Sequence, residues 1–215
     1  MFGYVFFDLD GTLLNTLDDL AAAGNYALGR LGLPAYDTDR YRYFVGNGIP
    51  KLIERILPEN ANEQLKVKCH AYFSEYYAAH SEDKTKPYAG IPELLDKLYS
   101  LGVKTVVITN KDHVYAVELM RKYFGDRITA VYGSRPGTPN KPDPYWVNKA
   151  VSELGAVKSE ILYVGDSGVD MQTASNAGLE SAGVLWGFRD EKELLDNGAH
   201  KICKEPFDIL TIVKG

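Results

Sequence analysis

Thiols are scarce in this chain. Of its 215 residues two are cysteine, Cys69 and Cys203, far apart and without CxxC spacing. That excludes a zinc knuckle or a disulfide framework and suits a reducing compartment. The four histidines, His70, His80, His113 and His200, show neither HxxxH nor HExxH spacing, so none is assigned a metal or catalytic role. Positive charge is not in excess: 24 Lys and Arg against 29 Asp and Glu leave a net charge of −5. The chain therefore offers no basic field for nucleic acid or an anionic membrane surface. No apolar run approaches a membrane span, and the MFGYVFF before Asp8 lacks the basic start and the length of a signal peptide. Repeats and low-complexity tracts are also missing. The expectation is a cytoplasmic protein, monomer or homodimer, with neither nucleic-acid nor membrane partners.

What is present is an ordinary globular composition, 45% hydrophobic and 25% charged, long enough for one large domain or one domain carrying an insertion. From residue 90 onward short apolar runs (VKTVVIT, ITAVYG, ILYVGD, SAGVLW) alternate with helical stretches, and glycines 102, 125, 155 and 178 fall where helix C-caps would lie. This rhythm predicts βαβ units and a Rossmann-like parallel sheet with helices on both faces, an α/β fold. Residues 17–81 break the rhythm with long helical patterns and no convincing strand, and KTKPYAGIP follows as a return linker. The reading is an α/β core made of residues 1–16 and 82–215, with an α-helical domain inserted at 17–81.

In open α/β sheets ligands bind outside the carboxyl ends of the strands. Polar residues gather at those ends: Asp8 and Asp10 after YVFF, Thr109 and Asn110 after TVVI, Lys141 in NKPDP, Asp166 and Asp170 after ILYV. Residues i and i+2 of an extended segment point the same way, so Asp8 and Asp10 face one crevice while Leu9 points inward. Two carboxylates so close repel, and burying them calls for a cation. Asp8, Asp166 and Asp170 supply hard oxygen ligands of the kind Mg²⁺ takes, with water and a substrate phosphate completing its shell. A carboxylate beside such an ion can attack phosphorus, and a second carboxyl can protonate the leaving oxygen and then activate water. The Thr109 hydroxyl and Lys141 ammonium suit phosphoryl oxygens. A plainer reading makes Asp166 and Asp170 the N-cap and first-turn acid of a helix, and the two roles are compatible.

These residues carry a resemblance. DLDGT at 8–12, VVITN at 106–110, KPDP at 141–144 and GDSGVD at 165–170 resemble, in order, the four motifs of haloacid dehalogenase-superfamily phosphatases. The resemblance implies Asp8 as nucleophile, Asp10 as general acid/base and backbone-carbonyl Mg²⁺ ligand, Thr109 as phosphate binder and Lys141 as the charge-balancing lysine. It makes Asp166 a direct metal ligand, with Asp170 acting through water or through Lys141, and residues 17–81 a cap over the leaving group. YFVGNGIPKLIERIL at 43–57 resembles the phosphoglycolate phosphatase branch, which implies a small phosphorylated metabolite as partner and 2-phosphoglycolate as substrate. Pyrophosphate, nucleotide monophosphates, sugar phosphates and a sugar-phosphate mutase reaction stay open. Gly48 backbone N–H and the Lys51 ammonium are candidates for a substrate carboxylate, with Asn110 beside the phosphate; the plainer reading leaves Gly46 and Gly48 as a tight turn and Lys51 as a solvated helical lysine. Where many relatives carry aspartate this chain has Asn15, and Thr16 with Asp19 three residues on is expected to cap the helix that follows.

Overall fold

A computed structural model describes residues Met1–Gly215. The chain divides into two compact units, one of Met1–Leu13 with Pro87–Gly215 and one of Leu14–Lys86. The second begins and ends a few residues outside the 17–81 read from the helical pattern.

The first unit opens with β1 (Tyr4–Phe7), after which the chain passes through β2 (Leu14–Asn15) into the second unit. It returns through β3 (Lys86–Pro87), which pairs with β2. The second unit contains α1 (Leu17–Arg30), α2 (Tyr41–Phe44), α3 (Ile49–Ile56) and α4 (Glu63–His80). The first unit then runs α5 (Ile91–Ser100), β4 (Lys104–Asp112), α6 (His113–Tyr123), β5 (Ala130–Ser134), α7 (Tyr145–Leu154), β6 (Ile161–Gly165), α8 (Gly168–Ala177), β7 (Glu180–Val184), α9 (Glu191–Asp196), β8 (Lys201–Cys203) and α10 (Pro206–Lys214). Gly155 and Gly178 end α7 and α8 as left-handed C-caps, as their spacing suggested.

The six strands pair in parallel in the order β5-β4-β1-β6-β7-β8. Strand β1 is central because both its faces are apolar: Val5, Phe6 and Phe7 are fully buried, which suits a strand covered by helices on both sides. Phe6 joins Val106, Ile108 and Tyr163 in a core closed by Trp146 and Val147 of α7 and Ala174 of α8. From β1 the sheet grows outward to β4 and β5 on one side, then β6 starts on the other side of β1. That reversal opens a crevice at the carboxyl ends of β1, β4 and β6.

The four-helix unit is built on α1 against α4. Small side chains at Ala23 and Ala27 on α1, and Cys69 with the large Phe73 and Tyr77 on α4, each set spaced by four, are buried. The aromatic stripe on α4 thus splits: Phe73 and Tyr77 stack in the interior, with Tyr72 and Tyr76 only half-buried.

The expected cap of α1 does not form. Thr16 has φ −106° and ψ 2°, outside the extended conformation an N-cap side chain needs, and its buried hydroxyl makes no hydrogen bond. Asn15 Oδ1 accepts from Leu17 N–H instead, at 3.3 Å. Asp19 is turned to the return segment, where it accepts from Lys84 N–H, from Thr85 N–H at 2.8 Å and from the Thr85 hydroxyl at 2.7 Å. Several charge-assisted bonds to one buried carboxylate outweigh a single local cap.

Candidate active site

Asp8 continues β1 by one residue, its N–H donating to Val164 O at 2.9 Å. Its carboxylate Oδ1 lies 2.8 Å from Lys141 Nζ, an ion pair whose angles do not make a hydrogen bond. The same ammonium donates to Asp170 Oδ1 at 2.7 Å. Lys141 is held from behind by Asn110, whose amide oxygen accepts from Lys141 N–H at 2.8 Å while its amide nitrogen donates to Lys141 O at 3.2 Å. The Asn110 amide thereby fixes the Lys141 backbone from both sides. Thr109 is buried beside it, and its hydroxyl accepts from Lys111 N–H at 3.1 Å.

Asp170 sits in the first turn of α8 and is fully buried. Its Oδ2 accepts from Ser167 N–H at 3.1 Å and from the Ser167 hydroxyl at 2.6 Å. Ser167, and not Asp166, is the N-cap of α8. Both Asp170 oxygens are therefore bonded to protein donors, one of them the site lysine.

Asp166 is gripped differently. The Thr12 hydroxyl donates to Oδ1 at 3.0 Å and Phe188 N–H to Oδ2 at 2.8 Å. The loop carrying Phe188 is tied down by Trp186, whose indole N–H donates to Thr12 O at 3.0 Å. Two glycines make room for the carboxylate. A Cβ on Gly11 would fall 2.7 Å from Asp166 Cγ, and one on Gly187 would fall 2.5 Å from Gly11 O and 2.6 Å from Asp166 Oδ2.

Carboxylate oxygens of Asp8, Asp166 and Asp170 all lie within 4.8 Å of one another. Burial pushes Asp8 well above the usual carboxylate range, Asp170 and Asp166 push it further, and Lys141 opposes them. Burial, then Asp170, lifts Asp166 to about 7 against the Phe188 N–H, Arg189 and the Thr12 hydroxyl. Burial works against the charge of Lys141, yet Asp170 and Asp8 hold it well above its ordinary value. One buried ammonium among three clustered carboxylates leaves negative charge uncompensated. The all-oxygen donor set fits a hard divalent cation, which would relieve it.

Of the residues singled out in the sequence, Asp8, Asp10, Thr109, Asn110, Lys141, Asp166 and Asp170 are in the first unit. Gly48 and Lys51 belong to the second. Gly48 has φ +83° and precedes α3; Lys51 Nζ is 2.5 Å from Glu54 Oε2 three residues on, both side chains exposed. Arg55 fixes the loop before α3, donating to Phe44 O and to Asn47 Oδ1.

Sequence reasoning passed over Lys111. Its side chain is 4% exposed and its ammonium donates to Asp10 Oδ1 at 3.0 Å. A break in the pairing of β4 with β5 between Ile108 and Asp112 accompanies three successive buried polar residues, Thr109, Asn110 and Lys111. Regular alternation does not anticipate three in a row. Thr12 and Gly187 were also missed; a glycine and aromatic pair just after the last apolar run, WGF, was the available signal.

The model of the haloacid dehalogenase-like hydrolase family matches residues 5–184. A phosphoglycolate phosphatase of Neisseria gonorrhoeae is 36% identical over 191 residues, covering 86% of this chain and 81% of the relative. That of Vibrio parahaemolyticus is 31% identical and covers 96% of this chain and 94% of its own. A crystal structure from Lactobacillus delbrueckii subsp. bulgaricus, provisionally a phosphoglycolate phosphatase, superposes with a TM-score of 0.94 at 28% identity, covering 99% and 98% of the two chains.

Proposed function

Because the chain belongs to the haloacid dehalogenase-like hydrolases, we propose that it is a Mg²⁺-dependent phosphatase acting on a small phosphomonoester, 2-phosphoglycolate. The observation that carries the mechanism is the buried cluster of Asp8, Asp166 and Asp170 with Lys141 paired to two of the three. Asp8 and Asp166, with the Asp10 carbonyl, hold the ion; Asp170, its oxygens spent on Lys141 and Ser167, orients the lysine. Bound Mg²⁺ supplies neutralisation of charge on the phosphoryl oxygens.

The Asp8 carboxylate attacks phosphorus, forming the acyl phosphate as the P–O ester bond breaks. The departing oxygen takes its proton from Asp10. Asp10 then removes a proton from water, whose oxygen attacks phosphorus and releases phosphate with the Asp8 carboxylate restored. The Thr109 hydroxyl and Lys141 ammonium hold the phosphoryl oxygens in both steps. The substrate assignment is supported by the names of the relatives.

The test is phosphate release with Mg²⁺ from 2-phosphoglycolate, pyrophosphate, nucleotide monophosphates and hexose phosphates, compared by kcat/KM, with Asp8→Asn as the blank. A preference for phosphoglycolate that vanishes in Asp8→Asn is expected. Equal turnover by Asp8→Asn would overturn the mechanism, and a displaced preference would overturn the substrate alone.

A further inference from the structure

Two lysines serve the Asp8–Leu9–Asp10 segment, and only one has been given a task. Lys141 pairs with Asp8, the group that meets phosphorus; Lys111 pairs with Asp10, the group that meets the leaving oxygen. Both ammonium groups are on side chains almost wholly removed from solvent, 2% and 4% exposed. Burying a cation is costly, and a lysine placed only to balance charge would serve as well on the surface side of a carboxylate. Lys111 lies near the carboxyl end of β4, where the pairing with β5 shifts register between Ile108 and Asp112 and Thr109, Asn110 and Lys111 are all buried.

We propose that Lys111 is the specificity-determining residue of the site, its ammonium receiving a carboxylate carried on the leaving group one carbon from the ester oxygen. The assignment rests on the phosphatase reading above. A leaving oxygen within hydrogen-bond reach of Asp10 brings such a carboxylate beside an ammonium 3.0 Å from Asp10 Oδ1. Lys51, the other cation considered for this role, is an exposed side chain paired to Glu54 along its own helix. An exposed pair of that kind contributes little, whereas a cation already stripped of water discriminates strongly between an anion and a neutral group.

Three esters of one backbone length decide the matter: 2-phosphoglycolate, 2-hydroxyethyl phosphate and phosphoethanolamine, which end in an anion, a neutral group and a cation. In the wild-type protein kcat/KM is expected to fall in that order, with the anion favoured over the neutral ester by at least about thirtyfold. In Lys111→Met the loss on phosphoglycolate is expected to exceed the loss on the hydroxyethyl ester by at least about tenfold, chiefly in KM. Lys111→Arg, which keeps the charge, is expected to retain the preference. Equal losses on all three esters in Lys111→Met would assign Lys111 to Asp10 alone and overturn the proposal. A flat order in the wild type would overturn it without recourse to any variant. Absence of Asp8-dependent release from all three would overturn this assignment, and the phosphatase reading falls with it only if pyrophosphate, nucleotide monophosphates and hexose phosphates also release no phosphate.

Discussion

Gly187→Ala is the sharpest test of how the site is held together. The added methyl would stand 2.5 Å from the Gly11 carbonyl oxygen and 2.6 Å from Asp166 Oδ2, against the 3.4 Å at which ordinary contact begins. Neither neighbour yields easily. Gly11 O is backbone in a turn at φ +90°, and Asp166 is anchored by the Thr12 hydroxyl and Phe188 N–H. Asp166 Cβ would stand closer still, so relief needs a relative movement of more than about 0.9 Å, taken up by the loop or by Asp166. Mg²⁺ tolerates little of this, since its oxygen ligands sit at about 2.0–2.1 Å in near-ideal octahedral geometry. Disturbing groups that orient a metal ligand costs about 10–100-fold in metal affinity, equivalent to about 1.4–2.8 kcal/mol. Overpacking adds a destabilisation of about 1–3 kcal/mol in the metal-free protein. Isothermal titration with Mg²⁺ and urea unfolding in EDTA read the two effects separately. Thr12→Val, which removes one donor to Asp166 without a clash, is expected to show a smaller loss of affinity. A folded Gly187→Ala protein with wild-type Mg²⁺ affinity would refute the view that this loop positions the ligand.

The raised carboxyl of Asp166, at about 7 in the folded chain against ~3.9 when unfolded, means that the folded metal-free protein binds more protons than the unfolded chain between those values. The Asp166 contribution to metal-free stability is therefore expected to fall as pH rises from about 4 to 7, with the raised carboxyl of Asp8 acting in the same direction and Mg²⁺ removing the fall. Urea midpoints across this range for the wild type and Asp166→Asn, in EDTA and in Mg²⁺, check it, and a metal-free difference between the two that does not change with pH would be incompatible with this shift. Asp19→Ala strips the partners from Lys84 N–H and Thr85 N–H. It is expected to cost about 2–4 kcal/mol by denaturant unfolding, and a loss under about 0.5 kcal/mol would show the bonds to be incidental. Thr16→Val deletes a buried hydroxyl without a partner and keeps the shape, so it is expected to be neutral or stabilising; a loss above about 1 kcal/mol would reveal a missing acceptor. Ca²⁺ in place of Mg²⁺ is expected to inhibit, because its larger and looser shell draws in both oxygens of the attacking carboxylate; turnover at the Mg²⁺ rate would contradict that.

Features that depend on neighbours in sequence were legible before the structure. YVFF, TVVI and ILYV announce buried strands by their apolar runs, and the i, i+2 spacing of Asp8 and Asp10 puts both carboxyls at one end of β1. The three-residue β8 was not legible, since Lys-Ile-Cys gives no pattern to read. Nor were pairings made across the chain. Asp19 satisfied every local rule for a capping partner, yet its acceptors went to donors 65 and 66 residues on. Lys111 meets Asp10 from 101 residues away, a contact set by the pairing of β1 with β4 that no local propensity encodes. Gly187 is required by a side chain that the register of β6 against β7 brings alongside. A glycine's reason is the atom it makes room for, and that atom is absent from the sequence around it.

The placement of β1 between β4 and β6 has a consequence for biosynthesis. Tyr4–Phe7 pair with Lys104–Val107 and Ile161–Val164, which are made about 100 and about 157 residues later. At about 5–20 residues per second, on the order of 10–30 s pass between the emergence of the nucleophile's strand and that of its second neighbour. Through that interval the strand has no complete sheet to join, and such long-range pairing slows closure further. Nascent or truncated chains therefore carry Asp8 without Asp166 and Asp170, so chemical competence arrives only with completion of the sheet.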